Sequence, residues 1–139
     1  MSEENVELVR RLFEAFGPDV DPAGPDMDLA IEFLHSDLDY RAVEGALDDV
    51  GVLHGHEAVR RYWEQWDETF DEFRAEPEQL IDAGEQVVAA VRISGRMKDS
   101  EAVVDMRFWM NLTVRDGKIA RGREYLTREE AFEAAGLSE

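Results

Sequence analysis

The hydrophobic period of this chain changes near its middle. Up to about residue 70 the apolar positions recur every three or four residues, and beyond it they alternate. In residues 3–16, Val6, Val9, Leu12, Phe13 and Phe16 fall on one side of a helix that Ser2 is placed to cap. The cluster GPDVDPAGP, residues 17–25, then holds three of the four prolines and reads as a loop, because proline removes an amide that a helix needs. Asp26 is placed to cap a short second helix carrying Leu29, Ile31, Phe33 and Leu34. Residues 37–43 alternate as a strand with Leu38, Tyr40 and Ala42 on one face. Residues 56–70 return to helical spacing, with Val59, Tyr62, Trp63, Trp66 and Phe70 in one wide stripe.

Four strands follow. Residues 73–82 contain Pro77, which cannot donate to a central ladder, so that strand belongs at an edge. Residues 87–97, 102–114 and 118–126 make the other three. In the third of the four, Val104, Met106, Phe108, Met110, Leu112 and Val114 share one face, expected to meet the helices. Asp105, Arg107, Trp109, Asn111 and Thr113 share the other, expected to face outward. Thr127 and Glu130 fit a capping box, so a short last helix runs to Gly136. The predicted class is α+β, a single domain over residues 1–139 whose long antiparallel strands carry helices on one face.

Composition narrows the possible partners. There are 33 acids against 15 bases, a net charge of −18, and residues 1–50 alone carry 14 acids and 3 bases. Such a surface repels phosphate backbones and anionic lipid, so neither nucleic acid nor membrane is expected as a partner. The longest purely apolar run is residues 87–91, far short of a membrane span. The start, MSEENVELVRR, carries acids where a signal peptide carries basic residues, which points to the cytoplasm. The absence of cysteine removes disulfides, thiolate metal sites and a cysteine nucleophile.

Several stretches in order resemble the nuclear transport factor 2-like superfamily, in particular its SnoaL-like branch. They are NVELVRRLFEAF, FLHSDLDYR, HGHEAVRRYWEQW and VRDGKIARGREYLTREEAFEAAGL. The resemblance implies a cone: a strongly curved antiparallel sheet wrapped around the N-terminal helices, enclosing a deep apolar pocket for a small molecule. It also implies a homodimer through the outer sheet face, which agrees with an aromatic, Trp109, set among alternating charges there. Members include isomerases, cyclases, epoxide hydrolases and non-catalytic binders, so the fold does not choose among them.

The steroid isomerases of the superfamily place a carboxylate, a tyrosine and a protonated aspartate at positions that fall here near Ala42, Leu12 and Met110, so that trio is absent. The epoxide-hydrolase-like members hold an arginine between two aspartates. Their arginine position resembles Arg92, one acid resembles Glu124, and the other is replaced by Ser94. Arg92 shares a strand face with Val88, Ala90 and Ser94, so it is expected to enter the core or reach the cone mouth. Glu124, Glu44 or the Asp48-Asp49 loop would then pair with it, either as a plain salt bridge or as chemistry.

The direction of Glu124 depends on the hairpin at Asp116-Gly117. A two-residue turn sets Glu124 opposite Trp109, facing out; a three-residue loop sets it opposite Phe108, facing in, with Ala120 and Gly122 beneath Leu112 and Met110. The inward register is preferred. The candidate site is thus Arg92 and Glu124 as catalytic groups, with Tyr40, Trp63, Trp66, Ser94, Phe108 and Met110 binding the ligand. His54 and His56 lack a third ligand nearby, and His56 reads as a helix cap, so no metal is expected. No phosphate-binding glycine loop or nucleophile elbow occurs, so no cofactor is expected either.

Overall fold

Apolar residues at helical spacing are followed by alternating ones, and this order builds a helical layer against a curved sheet. The computed structural model describes residues 2–16, 27–42 and 52–137. The helices are α1 (Ser2–Glu14), α2 (Met27–Glu32), α3 (Gly55–Thr69) and α4 (Arg128–Ala134). The strands are β1 (Leu34–Arg41), β2 (Val52–His54), β3 (Phe70–Ala83), β4 (Gln86–Met97), β5 (Val103–Arg115) and β6 (Lys118–Tyr125). The prolines and glycines of residues 17–25, Asp26, Glu44 and the Asp48-Asp49 pair lie outside the described residues.

One sheet contains all six strands in the order β2-β1-β6-β5-β4-β3. β3, which carries Pro77, is an edge strand as expected, and its pairing with β4 shifts between Pro77 and Gln79. A second shift lies between Asp71 and Arg74. Such bulges bend a strand and increase its twist, which is how a sheet curls around helices. The ladder is not wholly antiparallel: β1 pairs with β6 in parallel. Strand β2, three residues long, is too short to give a period and was not expected from the sequence.

The concave face holds the main core. Val87, Ala89 and Val91 of β4 and Leu112 of β5 are essentially inaccessible there, packed against Val9 of α1 and Val59 of α3. The end of α1 is tied to β3 by the Ala75 amide, which donates to the Phe16 carbonyl at 3.1 Å. His56 caps nothing: its Nε2 lies 2.9 Å from the Leu34 carbonyl oxygen, joining α3 to β1. The residue at the helix N-cap is His54, whose side chain makes no capping bond.

The outer face is not bare. α4 lies across it and covers a second, smaller core of Val88, Ala131 and Phe132. Trp109 belongs to this cluster, edge-on to Phe132 with ring centroids 6.0 Å apart, so it is partly covered by its own chain rather than standing free. Asn111 is buried as well, its Nδ2 donating to the Ala131 carbonyl at 2.9 Å. A seven-residue helix is too short to persist alone, and burial of Val88, worth about 1.5–3 kcal/mol for a full valine side chain, helps hold it in place. Its start is fixed by Thr127, whose Oγ1 accepts from the Glu130 amide at 3.2 Å and donates to the Glu130 carboxylate at 3.0 Å.

Gly122 sets the spacing of β1 and β6. It pairs with Tyr40 across the parallel ladder and with Leu112 across the antiparallel one. A methyl group added at Gly122 would lie 2.5 Å from the Tyr40 Cδ2 and 2.8 Å from its Cε2. Gly122→Ala therefore displaces the Tyr40 ring. The expected cost is about 1–3 kcal/mol, as for overpacking a filled core. A lowered urea midpoint with an unchanged slope is the expected reading, and an unchanged midpoint would show that the ring has room to move.

Candidate functional site

The concave face and helices enclose a cavity of about 250 Å³. This is near the low end of the usual ligand-pocket range of about 300–1,000 Å³ and suits a one- or two-ring molecule. Every layer contributes to its wall: Phe13 from α1, Trp63 and Trp66 from α3, Phe73 from β3, Val91 from β4 and Phe108 from β5. Leu126, just beyond β6, also lines it and is 57% exposed, which marks the rim. The wall is mostly aromatic because the α3 stripe at helical spacing meets the inward-facing residues of β3. Trp66 stacks on Phe70 and Phe73 at centroid distances of 5.7 and 6.0 Å, and Tyr62 meets Trp66 edge-on at 6.4 Å.

Glu124 of β6 is the one charged residue in that lining, among the described residues. It faces inward, as preferred, but by neither of the two routes weighed from the sequence. The hairpin is a two-residue turn, with Arg115 paired to Lys118 and positive φ at Asp116 (55°) and Gly117 (74°), the conformation that a tight right-twisted hairpin needs. A register shift between Thr113 and Val114 then takes up one extra residue, Ala120, on the β6 side. Glu124 therefore lies opposite Met110, and Gly122 lies opposite Leu112. No turn signal reveals such a bulge.

Two phenols hold this carboxylate. Tyr40 donates to its Oε2 in a short hydrogen bond, and Tyr62 donates to Oε1 at 3.4 Å. Hydrogen bonds to charged groups contribute about 1.5–3 kcal/mol, and 3.4 Å is at the long, weak end, so Tyr40 is the stronger anchor. Burial, with the nearby Glu124 charge next in weight, pushes both tyrosine pKa values well above their ordinary range. Both therefore remain neutral donors. On the outer side of the same strand pair, Arg123 steadies the backbone. Its Nη1 donates to the carbonyls of Asp39 at 3.1 Å and Gly122 at 2.7 Å, and its Nη2 lies 3.1 Å from the Asp39 carboxylate.

The expected site residues divide into two groups. Tyr40, Trp63, Trp66, Phe108, Met110 and Glu124 all line the cavity. Arg92 and Ser94 do not. Arg92 is on the outer face, where its Nε and Nη2 donate to the two Asp105 oxygens at 2.9 and 2.7 Å, with both side chains 42% exposed. The Arg92 hydrogen bond, more than any other influence, keeps the Asp105 carboxyl below its ordinary pKa. Ser94 pairs with Asp105 across the ladder on the same outer side. The physical reason is that β4 buries apolar residues on both faces: Val87, Ala89, Val91 and Ile93 point into the cone, while Val88 is buried under α4. A buried valine on the Arg92 face thus gave a false sign of its direction. The hydrogen bond from Tyr62 to Glu124 was not legible from the sequence. The helical stripe contained Tyr62, but its height above β6 is a tertiary distance. Among the described residues, no three histidine or acidic side chains converge as metal ligands, and no helix is long and apolar enough to cross a membrane.

Residues 9–122 match the family model of the SnoaL-like domain. The chain belongs to the SnoaL-like domain family. Among solved structures it is similar to Bal32a from a soil-derived mobile gene cassette, with a TM-score of 0.76, 19% identity and 96% of each chain covered. It is similar also to TerC, co-crystallised with polyporic acid, with a TM-score of 0.73, 18% identity and coverage of 96% of this chain and 98% of that one. A Jannaschia protein provisionally described as a SnoaL-like polyketide cyclase gives a TM-score of 0.73 at 21% identity, covering 96% of this chain and 92% of that one. Likeness at these identities establishes the cone fold alone. No protein of curated function matches the sequence. Within this SnoaL-like chain, the positions that would seat the steroid-isomerase groups are apolar: Leu12 and Met110 line the cavity and Ala42 is buried.

The two phenols give the protein an alkaline limit. Below about pH 10 the folded and unfolded chains both keep these protons, and the contribution to stability is fully present. As the pH rises beyond that, the unfolded chain releases protons that the folded chain retains, so stability falls. Urea midpoints measured between about pH 8 and about pH 11 should drop in the parent. They should drop less in the Tyr40→Phe, Tyr62→Phe double variant, and an equal drop in both proteins would rule out this origin.

Proposed function

We propose that this protein binds an apolar small molecule in its cone and moves a proton on it without a cofactor, as an isomerase, cyclase or hydrolase does. The observation that supports this reading is a single carboxylate, Glu124, held by Tyr40 and Tyr62 at the polar spot of an otherwise apolar, aromatic cavity. A carboxylate in such a place can accept a proton from one atom of a bound molecule and return it to another. Tyr62, whose bond to Glu124 is long, is the donor better placed to turn toward an oxygen on which charge develops. TerC, which shares the fold, was co-crystallised with polyporic acid.

A second reading, binding without turnover, is favoured by the placement of Arg92 and Ser94. With both on the outer face, the arginine-and-acid trio of the epoxide-hydrolase-like members is not assembled in the cone. Mass spectrometry of small molecules released from the denatured protein identifies the occupant, and Glu124→Gln then separates the readings. Under the first, the variant still binds but turns over about 100–10,000-fold more slowly. Undiminished turnover in a folded Glu124→Gln variant would remove the proton-transfer role.

We also propose a homodimer on the outer sheet face. Its basis is now the exposed strip of ion pairs beside Trp109, Arg92 with Asp105 and Arg107 with Glu78, whose alternating signs match a copy of themselves across a two-fold axis. Light scattering should give about twice the chain mass of 15.9 kDa, and Asp105→Arg should lower it toward that mass. A parent protein of single-chain mass at micromolar concentration would remove the proposal.

A further inference from the structure

We propose that the cone is selective for an organic cation: a hydrophobic amine, protonated, with its N–H groups on Glu124 and its apolar body among the aromatic rings. This rests on the reading of the cone as a ligand site and adds the charge class of its occupant. Among the described residues the lining contains one acid and no lysine, arginine or histidine. Its other polar groups, the Tyr40 and Tyr62 phenols, are neutral. The rings act in the same sense as the acid, because an aromatic face is negative and attracts cations, tryptophan most strongly. They are also continuous with it: Glu124 is bonded to Tyr62, Tyr62 abuts Trp66, and Trp66 stacks on Phe70 and Phe73.

Each class of ligand meets this surface differently. An anion would lose its hydration beside a carboxylate and against ring faces, with no cation to offset the loss. A neutral molecule gains from burial alone, plus whatever hydrogen bond it takes at Glu124. A protonated amine gains that burial, a charge-assisted bond to the carboxylate and the attraction of the rings. The net charge of −18 acts in the same direction at long range, raising the local concentration of cations.

The test uses one hydrophobic body with three heads: phenylbutylamine, phenylbutanol and phenylbutanoate, titrated at neutral pH. Two of the three tryptophans, Trp63 and Trp66, line the cavity, so occupancy is read as a change in tryptophan fluorescence. The amine should bind at least about tenfold more tightly than the alcohol, and the butanoate more weakly than either. In a folded Glu124→Gln variant the gap between amine and alcohol should close, the amine losing at least about tenfold more affinity than the alcohol. If Glu124→Gln fails to fold, the three affinities in the parent decide the matter alone. Equal or tighter binding of the alcohol, or binding of the butanoate at the strength of the amine, would overturn the cation selectivity and leave the cone as a ligand site. Binding of none of the three would overturn both.

Discussion

The polar end of the cone depends on how closely β1 lies along β6. Their parallel pairing puts Tyr40 beside Gly122, and only the missing side chain of Gly122 lets the ring lie that near. From that position the Tyr40 hydroxyl reaches Glu124, two residues further along β6, and fixes one oxygen of its carboxylate. Arg123, between them in sequence, points to the other side and binds the backbone of both strands. One close strand contact therefore orders the one charged group of the lining among the described residues, and α3 completes the arrangement by bringing Tyr62 down from above.

Burial sets the character of this arrangement. A carboxylate at the surface would exchange its partners with water. Here it is surrounded by rings, and its neighbours are phenols that burial keeps protonated. Desolvation strengthens each interaction while limiting the ligands that fit. Under the proposed function the same carboxylate would serve both recognition and proton transfer, since both need a fixed acceptor in a dry wall. Arg92 offers the contrast. Its bond to Asp105 is as short as any in the protein's surface network, yet it is half in water and on the far side of the sheet from the cavity.

The outer face shows how one short helix changes the meaning of a pattern. Alternation along β5 correctly separates Phe108, Met110 and Leu112 from Arg107, Trp109 and Asn111. Whether the second set meets water is another matter, because α4 folds back over part of it and buries Val88 and Asn111. Among the described residues, the part of the outer face that stays exposed is the charged strip toward β3, rather than the aromatic one.

The sequence by itself determined most of the elements and several of their faces. Helical spacing in α1 and α3, alternation in β5, Pro77 at an edge and the Thr127 cap are local physics, and each is found where the pattern put it. It also placed Tyr40, Trp63, Trp66, Phe108 and Met110 among the candidates, because period 2 and period 3.6 decide which residues share a side, whereas Glu124 entered through the family resemblance. The tertiary structure decided what no local pattern encodes. A bulge at Ala120 shifted the β6 register by one residue and turned Glu124 inward. Packing of α4 buried Val88 on the outer face of β4, while Arg92 further along that face stayed outside. Parallel pairing of β1 with β6 and the height of α3 above them set the phenol contacts to Glu124. These depend on distances between segments far apart in the chain, and periodicity carries no information about such distances.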